Sequence, residues 1–347
     1  MERNKVMFIT PPISCSINSK FSNLKFPLGF MYMAGVLEKN SFIVRILDCP
    51  LYYKKRKIID NKTVRIGSYD KDIINEIIKF KPDIIGVQCA YSAYESDSFH
   101  VINLIREIPK EIFKQPLIVV GGAHTSANPE YVLRNKDIDL AVIGEGEETI
   151  LEIATKFKEN KKLNNLKGTA LVINDKIRVN PKREFIKNID SLFPAYHLID
   201  INLYFKHPDN SKATMRERAV DIITSRGCPA NCVFCSINTV WGRKWRGRSV
   251  ESIIKEVELL TKKYGVRQLR IQDDNLTLDK KRIIKLCNSI IKRKINIKWD
   301  TPNGIAIWAL DKEVISKMKK AGCYRITFGI ESGCPKSQAY IRKILDH

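Results

Sequence analysis

Twice along this chain, short runs of Val, Ile and Leu alternate with stretches of helical periodicity, and that alternation admits few folds. Between residues 5 and 157 the strand patterns are Val6 to Ile9, Phe42 to Leu47, Ile84 to Gln88, Leu117 to Val120 and Leu140 to Ile143. Helical patterns separate them at Leu28 to Lys39, Lys71 to Phe80, Ser96 to Glu107, Pro129 to Arg134 and Glu148 to Phe157. This half, residues 1–157, reads as α/β, a doubly wound parallel Rossmann-like sheet. Asn128-Pro129-Glu130 offers a cap, a first-turn proline and an early acid, which predicts a helix start there. Residues 158–217 read as a linker, with a polar connector and a hairpin in which Thr169 to Ile173 and Ile177 to Asn180 flank Asn174-Asp175-Lys176.

A second series occupies residues 218–347, with strands at Ala219 to Thr224, Arg267 to Ile271, Asn296 to Asp300 and Tyr324 to Phe328. Its helices are Val250 to Tyr264, Lys280 to Lys292, Asp311 to Ala321 and Lys336 to Leu345. The helix after Ser249 stops at Gly265, a start and a stop where helix physics favours them. Every strand ends in polar residues: a cysteine loop, Gln272-Asp273-Asp274-Asn275, the turn Thr301-Pro302-Asn303-Gly304, and Gly329-Ile330-Glu331-Ser332-Gly333. Barrel enzymes build active sites at such strand ends.

The first of those loops carries Cys228, Cys232 and Cys235 in a Cys-x3-Cys-x2-Cys triplet. A structural zinc site closes with four ligands, so a triplet leaves it incomplete. An iron–sulfur cluster held by three cysteines keeps one iron open to an outside ligand. Nine cysteines in all, odd in number and scattered, fit a reducing compartment, which with the lack of a signal-peptide core places the chain in the cytoplasm. No run approaches the ~18 apolar residues of a membrane span. The formal charge of +22 invites a nucleic-acid reading, but the lysines are dispersed and nucleic acid is not an expected partner. The densest basic run, Arg243-Lys244-Trp245-Arg246-Gly247-Arg248, reads as a solvated or cofactor-flanking loop.

Two glycine-bearing turns follow strands of the first half: Gly121-Gly122-Ala123-His124 and Gly144-Glu145-Gly146-Glu147. Ligands of open parallel sheets bind outside the carboxyl ends of strands, where glycine lets them approach the backbone. Neither turn matches the dinucleotide fingerprint or a phosphate-binding loop.

Taken together, these motifs resemble the cobalamin-binding radical SAM family, from about residue 5 to the last residue. The resemblance rests on the cysteine triplet with Phe234 before its third member, on Asp273-Asp274-Asn275 and Gly329-Ile330-Glu331-Ser332, and on the two glycine turns. It implies a 4Fe-4S cluster on Cys228, Cys232 and Cys235 whose open iron chelates S-adenosylmethionine; the reduced cluster then cleaves that molecule to a 5'-deoxyadenosyl radical. Phe234 is implied beside the cluster, Asp273, Asp274, Asn303 and Glu331 around S-adenosylmethionine, and Gly121, Gly122, His124, Gly144, Glu145 and Gly146 around cobalamin. His124 is expected to accept a backbone hydrogen bond rather than to approach cobalt, and the Asp-x-His-x-x-Gly motif of other cobalamin proteins is absent. The implied activity is methylation or rearrangement of a small-molecule substrate at an unactivated carbon, with a reductant such as flavodoxin or ferredoxin. Oxidative cyclisation of a tetrapyrrole and a non-catalytic cofactor-binding fragment are the alternatives. The family's barrel has six βα units and this sequence offers four, an incomplete barrel that suggests a C-terminal truncation.

Overall fold

Apolar runs become interior strands only where helices cover both sheet faces, and the first half of the chain meets that condition. The computed structural model describes residues 4–19, 24–208, 215 and 218–343. It divides into one unit of Met1–Phe185 with Leu192–Asp200 and another of Ile186–Ser191 with Ile201–His347.

Strands of the first unit are β1 (Lys5–Thr10), β2 (Ile13–Ser16), β3 (Ile43–Asp48), β4 (Arg56–Ile58), β5 (Thr63–Ile66), β6 (Ile84–Gln88), β7 (Leu117–Gly121), β8 (Leu140–Val142), β9 (Thr169–Ile173) and β10 (Lys176–Val179). Its helices are α1 (Leu28–Lys39), α2 (Asp70–Phe80), α3 (Glu95–Arg106), α4 (Ala123–Ala127), α5 (Pro129–Val132) and α6 (Glu147–Lys158). A seven-stranded sheet runs in the order β10-β9-β8-β7-β6-β1-β3. Strands β3, β1, β6, β7 and β8 are parallel. Alternate residues of β1 serve opposite cores: Met7 and Ile9 pack with Ile73, Ile77, Val101 and Ile105 of α2 and α3, while Val6 and Phe8 pack with Phe30, Ala34 and Leu37 of α1. Each such side chain contributes ~1.5–3 kcal/mol of burial, which is why the two-sided apolar pattern dictates the layering. The chain passes from β1 out to β3 and then returns to β6, so the strand order reverses at β1.

The expected hairpin exists, with Asn174 and Asp175 both at positive φ as a tight two-residue turn requires. It is not part of a linker, however: β9 pairs antiparallel with β8 and extends the sheet. Residues 192–200 also belong to the first unit, where Ala195 N–H donates to the Met31 carbonyl. At Pro129 the predicted helix begins on time but lasts one turn, and the Asn128 side chain makes no capping bond. The small antiparallel sheet β2-β5-β4 was not expected.

The second unit includes α7 (Ile201–Lys206) and holds β11 (Ala219–Ile222), β12 (Ser225–Arg226), β13 (Arg246–Gly247), β14 (Gln268–Ile271), β15 (Lys298–Ile305) and β16 (Cys323–Phe328). Between them lie α8 (Ile237–Val240), α9 (Val250–Tyr264), α10 (Lys280–Lys292), α11 (Lys312–Lys320) and α12 (Pro335–Ile341). Four parallel strands in the order β11-β14-β15-β16 form its sheet, as the four βα units predict. Ser249, Asp279 and Asp311 each cap their helix by accepting a backbone N–H of its first turn. Strand β15 runs five residues beyond the expected Asp300, through a register shift at Thr301 to Ile305. A bulge there accommodates Pro302, which cannot donate to a ladder.

One face of this sheet carries alternating charge. Asp221, Arg270, Asp300 and Arg325 are register partners on successive strands. Arg270 Nε reaches Asp221 Oδ1 at 2.6 Å, and Arg325 pairs with Asp300. Asp300 is buried, which raises its carboxyl, while Arg325 and Arg270 oppose that shift.

Candidate functional site

The cysteine loop leaves β11 and is shaped by a glycine before its first thiol. Gly227 has φ +85°, and a Cβ there would lie 2.5 Å from the Lys244 carbonyl oxygen, so no other residue fits. The thiols of Cys228, Cys232 and Cys235 are free, and all three residues line one cavity of ≈ 350 Å³. Asp274 beyond β14, Asn303 on β15 and Glu331 beyond β16 line it too, so the carboxyl ends of successive strands converge on the loop.

Charge is crowded in this cavity. Burial raises the Cys228 thiol, and Asp274, Cys235 and Cys232 raise it further. Asp274 is pushed up to about 7, chiefly by burial and then by Asp273, against a hydrogen bond from the Gly227 backbone. Thiols and a carboxylate that resist ionising together suit a bound cation, which relieves every one of those repulsions. Three thiols lining one cavity fit a cluster with one iron left open better than a structural zinc, which closes with four ligands.

The remaining expected residues divide. Glu331 lines the cavity at φ +65°, an unusual backbone for glutamate, with Lys343 Nζ 3.6 Å from its Oε1. Asn303 donates to the Gln272 carbonyl at 2.9 Å and sits in the strand, not in a turn. Phe234 is 54% exposed at the cavity wall, under the Lys343 ammonium, and so is no core aromatic. Asp273 corrects the expectation of a cofactor-facing pair: it is buried, does not line the cavity, and both its oxygens accept from Thr224 and Ser225. Asn275 and Lys343 are among the cavity residues that were missed. Asn275 is 1% exposed with its Oδ1 lacking a hydrogen-bond partner, and the motif Asp-Asp-Asn carried a signal for it. Lys343 had none.

The basic run is internal rather than a surface stripe. Arg248 forms a buried pair with Glu256, Arg246 donates to the Ile186 carbonyl at 2.7 Å, and Trp245 donates to the Asn275 carbonyl at 2.9 Å. Only Arg243, Lys244 and Gly247 of the six are exposed.

In the first unit the two glycine turns lie side by side beyond β7 and β8. Ser126 ties them, its Oγ donating to the Gly122 carbonyl at 2.8 Å and accepting from Gly144 N–H at 3.0 Å. Gly122 has φ +130°, and a Cβ would meet Ala90 Cα at 2.8 Å. Gly121 ends β7, Gly146 precedes α6, and Glu145 is buried with its carbonyl accepting from Thr149. His124 hydrogen-bonds the Glu95 carboxylate at 2.5 Å, a side-chain partner rather than the expected backbone one. None of these turn residues lines the cavity of ≈ 150 Å³ at this sheet edge, which is lined instead by Thr10, Asp48 and Gln88 at the ends of β1, β3 and β6 and by Ala90 and Tyr91, where the strand order reverses. Thr10 Oγ1 is buried there without a hydrogen-bond partner, so the edge fits a polar ligand at the sheet's switch point.

Comparison with known proteins follows the same division. A B12 binding domain matches residues 16–154 and the Radical SAM superfamily matches residues 222–346. An uncharacterized methyltransferase of Pyrococcus horikoshii is 32% identical over 99% of this chain and 69% of its own length. The cytidylyl-2-hydroxyethylphosphonate methyltransferase of Streptomyces wedmorensis is 30% identical over 95% of this chain and 65% of its own. An anaerobic magnesium-protoporphyrin IX monomethyl ester cyclase of Cereibacter sphaeroides is 26% identical, and the chain spans 47% of it. Among solved structures, the cobalamin-dependent radical enzyme OxsB superposes with a TM-score of 0.76 at 22% identity, over 99% of this chain and 46% of that one. The methyltransferase TsrM of Kitasatospora setae, with cobalamin and a [4Fe-4S] cluster, superposes with a TM-score of 0.75 at 17% identity, over 99% and 62%. Among the described residues no helix is long and apolar enough to cross a membrane. With a B12 binding domain, a three-thiol strand-end cavity and a relative matched over more than two thirds of its length, the chain belongs to the cobalamin-binding radical SAM family of enzymes, whose cofactors are a 4Fe-4S cluster, S-adenosylmethionine and cobalamin.

Proposed function

We propose that this chain is the cofactor-binding portion of a methyltransferase that acts on a small-molecule substrate at an unactivated carbon. The observation that carries the proposal is the shared cavity of Cys228, Cys232, Cys235, Asp274, Asn303 and Glu331. When bound, the cofactors supply one-electron cleavage of a sulfonium and a transferable methyl group. The chain's own residues hold and orient them. Three thiols grip the cluster, Asp274 and Glu331 face the ammonium or ribose hydroxyls of S-adenosylmethionine, and the Asn303 amide adds a polar contact. Phe234, Ile305 and Ile307 give the cavity an apolar wall that limits water around the metal. The glycine turns and the Thr10 edge of the first unit would receive cobalamin.

Methylation is favoured over ring closure because the relatives at 32% and 30% identity are methyltransferases by name, against 26% for the cyclase. A reductant of the flavodoxin or ferredoxin class and a cytoplasmic setting complete the proposal. The internal position of the basic run argues against a nucleic-acid substrate.

Anaerobic reconstitution with iron, sulfide and cobalamin, followed by S-adenosylmethionine and a one-electron reductant such as dithionite, tests this. Retained cobalamin absorbance together with release of 5'-deoxyadenosine and S-adenosylhomocysteine supports it. Both cofactors bound without turnover supports the fragment reading instead, and a chain that loads no iron refutes both.

A further inference from the structure

Beyond β14 two neighbouring carboxylates reach the cysteine loop and do different things. Asp274 faces the cavity and accepts the Gly227 backbone N–H. Asp273 is 2% exposed and points to the root of the loop. One of its oxygens accepts Thr224 N–H at 2.6 Å, and the other accepts Thr224 Oγ1 and Ser225 Oγ, each at 2.6 Å.

A guanidinium holds the same root as well. Arg282 of α10 donates to the Thr224 carbonyl at 2.5 Å and to the Arg248 carbonyl at 2.8 Å, with its guanidinium 5.4 Å from the Trp245 ring centre. Arg226, next along, is buried over the Trp241 ring at 4.5 Å. The segment leading into Cys228 is thus fixed at its N–H, carbonyl and hydroxyl groups before any metal is considered.

We propose that Asp273 is a positioning residue for the metal centre: a buried carboxylate latch on Thr224 and Ser225 that presents Cys228 to the iron in its binding position. This rests on the reading of the loop as a cluster site and adds to it a residue that touches neither cluster nor S-adenosylmethionine. Charge-assisted bonds to a loop root limit how far the thiols wander, so less ordering is left to be done when iron arrives. Asp274 then remains free for the ligand in the cavity. Adjacent carboxylates of one strand end divide the work of holding the loop and meeting the cofactor.

The test uses the full chain and three variants, Asp273→Asn, Thr224→Val and Ser225→Ala, each reconstituted anaerobically. Asp273→Asn keeps the side chain's size but removes the charge. Iron affinity is expected to fall about 10-fold in Asp273→Asn, as for other residues that orient metal ligands. The reduced cluster's paramagnetic spectrum and midpoint potential are expected to shift while the melting temperature stays near that of the parent. Thr224→Val and Ser225→Ala should shift the same readouts less, in the same direction. Asp273→Asn with parental affinity, spectrum and potential overturns the latch. So does an unfolded Asp273→Asn alongside Thr224→Val and Ser225→Ala variants that match the parent in all three readouts. A parent chain that takes up no iron overturns the cluster reading and the latch together.

Discussion

Replacing Gly227 with alanine tests how much of the metal site is backbone rather than thiol. The residue's φ of +85° costs an L-residue about 1–2 kcal/mol. The added Cβ would also meet the Lys244 carbonyl oxygen at 2.5 Å and the Gly242 carbonyl oxygen at 3.2 Å, both of them backbone atoms. Lys244 is two residues from β13, whose pairing with β12 keeps that carbonyl from retreating, so overpacking adds about 1–3 kcal/mol. Together these reach about 2–5 kcal/mol, less than the 5–15 kcal/mol that typically holds a domain folded. The cheapest relief is local: the short β12–β13 ladder opens and residues 225–228 move. Iron bound after anaerobic reconstitution should therefore drop severely, while the melting temperature falls by less than the about 5–15 °C that global strain would give. Gly29→Ala serves as the opposite control, because nothing lies within 4 Å of the added methyl and its helical backbone suits alanine. That variant should load iron normally and gain about 0.5–1 kcal/mol. Parental iron loading in Gly227→Ala would refute the claim that the loop's left-handed turn places Cys228.

Arg248→Met strands the buried Glu256 carboxylate and should cost about 3–5 kcal/mol in chemical denaturation; the double variant Arg248→Met, Glu256→Leu should recover much of that loss. Glu331→Ala should weaken S-adenosylmethionine binding by about 1–3 kcal/mol, read by titration, without changing iron content. The Lys55 ammonium holds the Asp72 carboxyl below its usual value, so the stability it contributes is present above pH 3.8 and is lost as pH falls through the lower folded value. Asp72→Asn should flatten that acid limb by under about 1 kcal/mol in denaturation between pH 3 and 5, since the pair is partly exposed.

Periodicity and caps made the helices legible: α1, α9 and α10 have the bounds their apolar spacing indicates, and Ser249 and Gly265 mark ends where expected. Pro302 read as a turn because proline removes a donor, yet a bulge lets β15 continue through it and puts Asn303 at the cavity wall. The cysteine loop was plain from spacing alone. Which of Asp273 and Asp274 faces the cavity was not, because neighbours at a strand end point to opposite sides and only tertiary structure says which side is hollow. The basic run misled for a similar reason, since a guanidinium can be buried once carbonyls and a carboxylate such as Glu256 surround it. In the first unit the glycine turns drew attention to β7 and β8, whereas Thr10, Asp48, Gln88 and Tyr91 come from distant parts of the sequence and meet only at the switch point.

The alternating charges across β11, β14, β15 and β16 have a consequence for assembly. Parallel strands of similar apolar content can dock in the wrong sequence, and an exchange of β14 and β15 is one such error. Exchange would set Asp221 beside Asp300, both buried, where like charges repel strongly, and would set Arg270 beside the more exposed Arg325. Sliding a strand by two residues keeps its apolar face inward but uncouples the same pairs. Four side chains that touch no cofactor thus write both neighbour identity and alignment into the sheet, and with them the meeting of three strand ends at the cysteine loop.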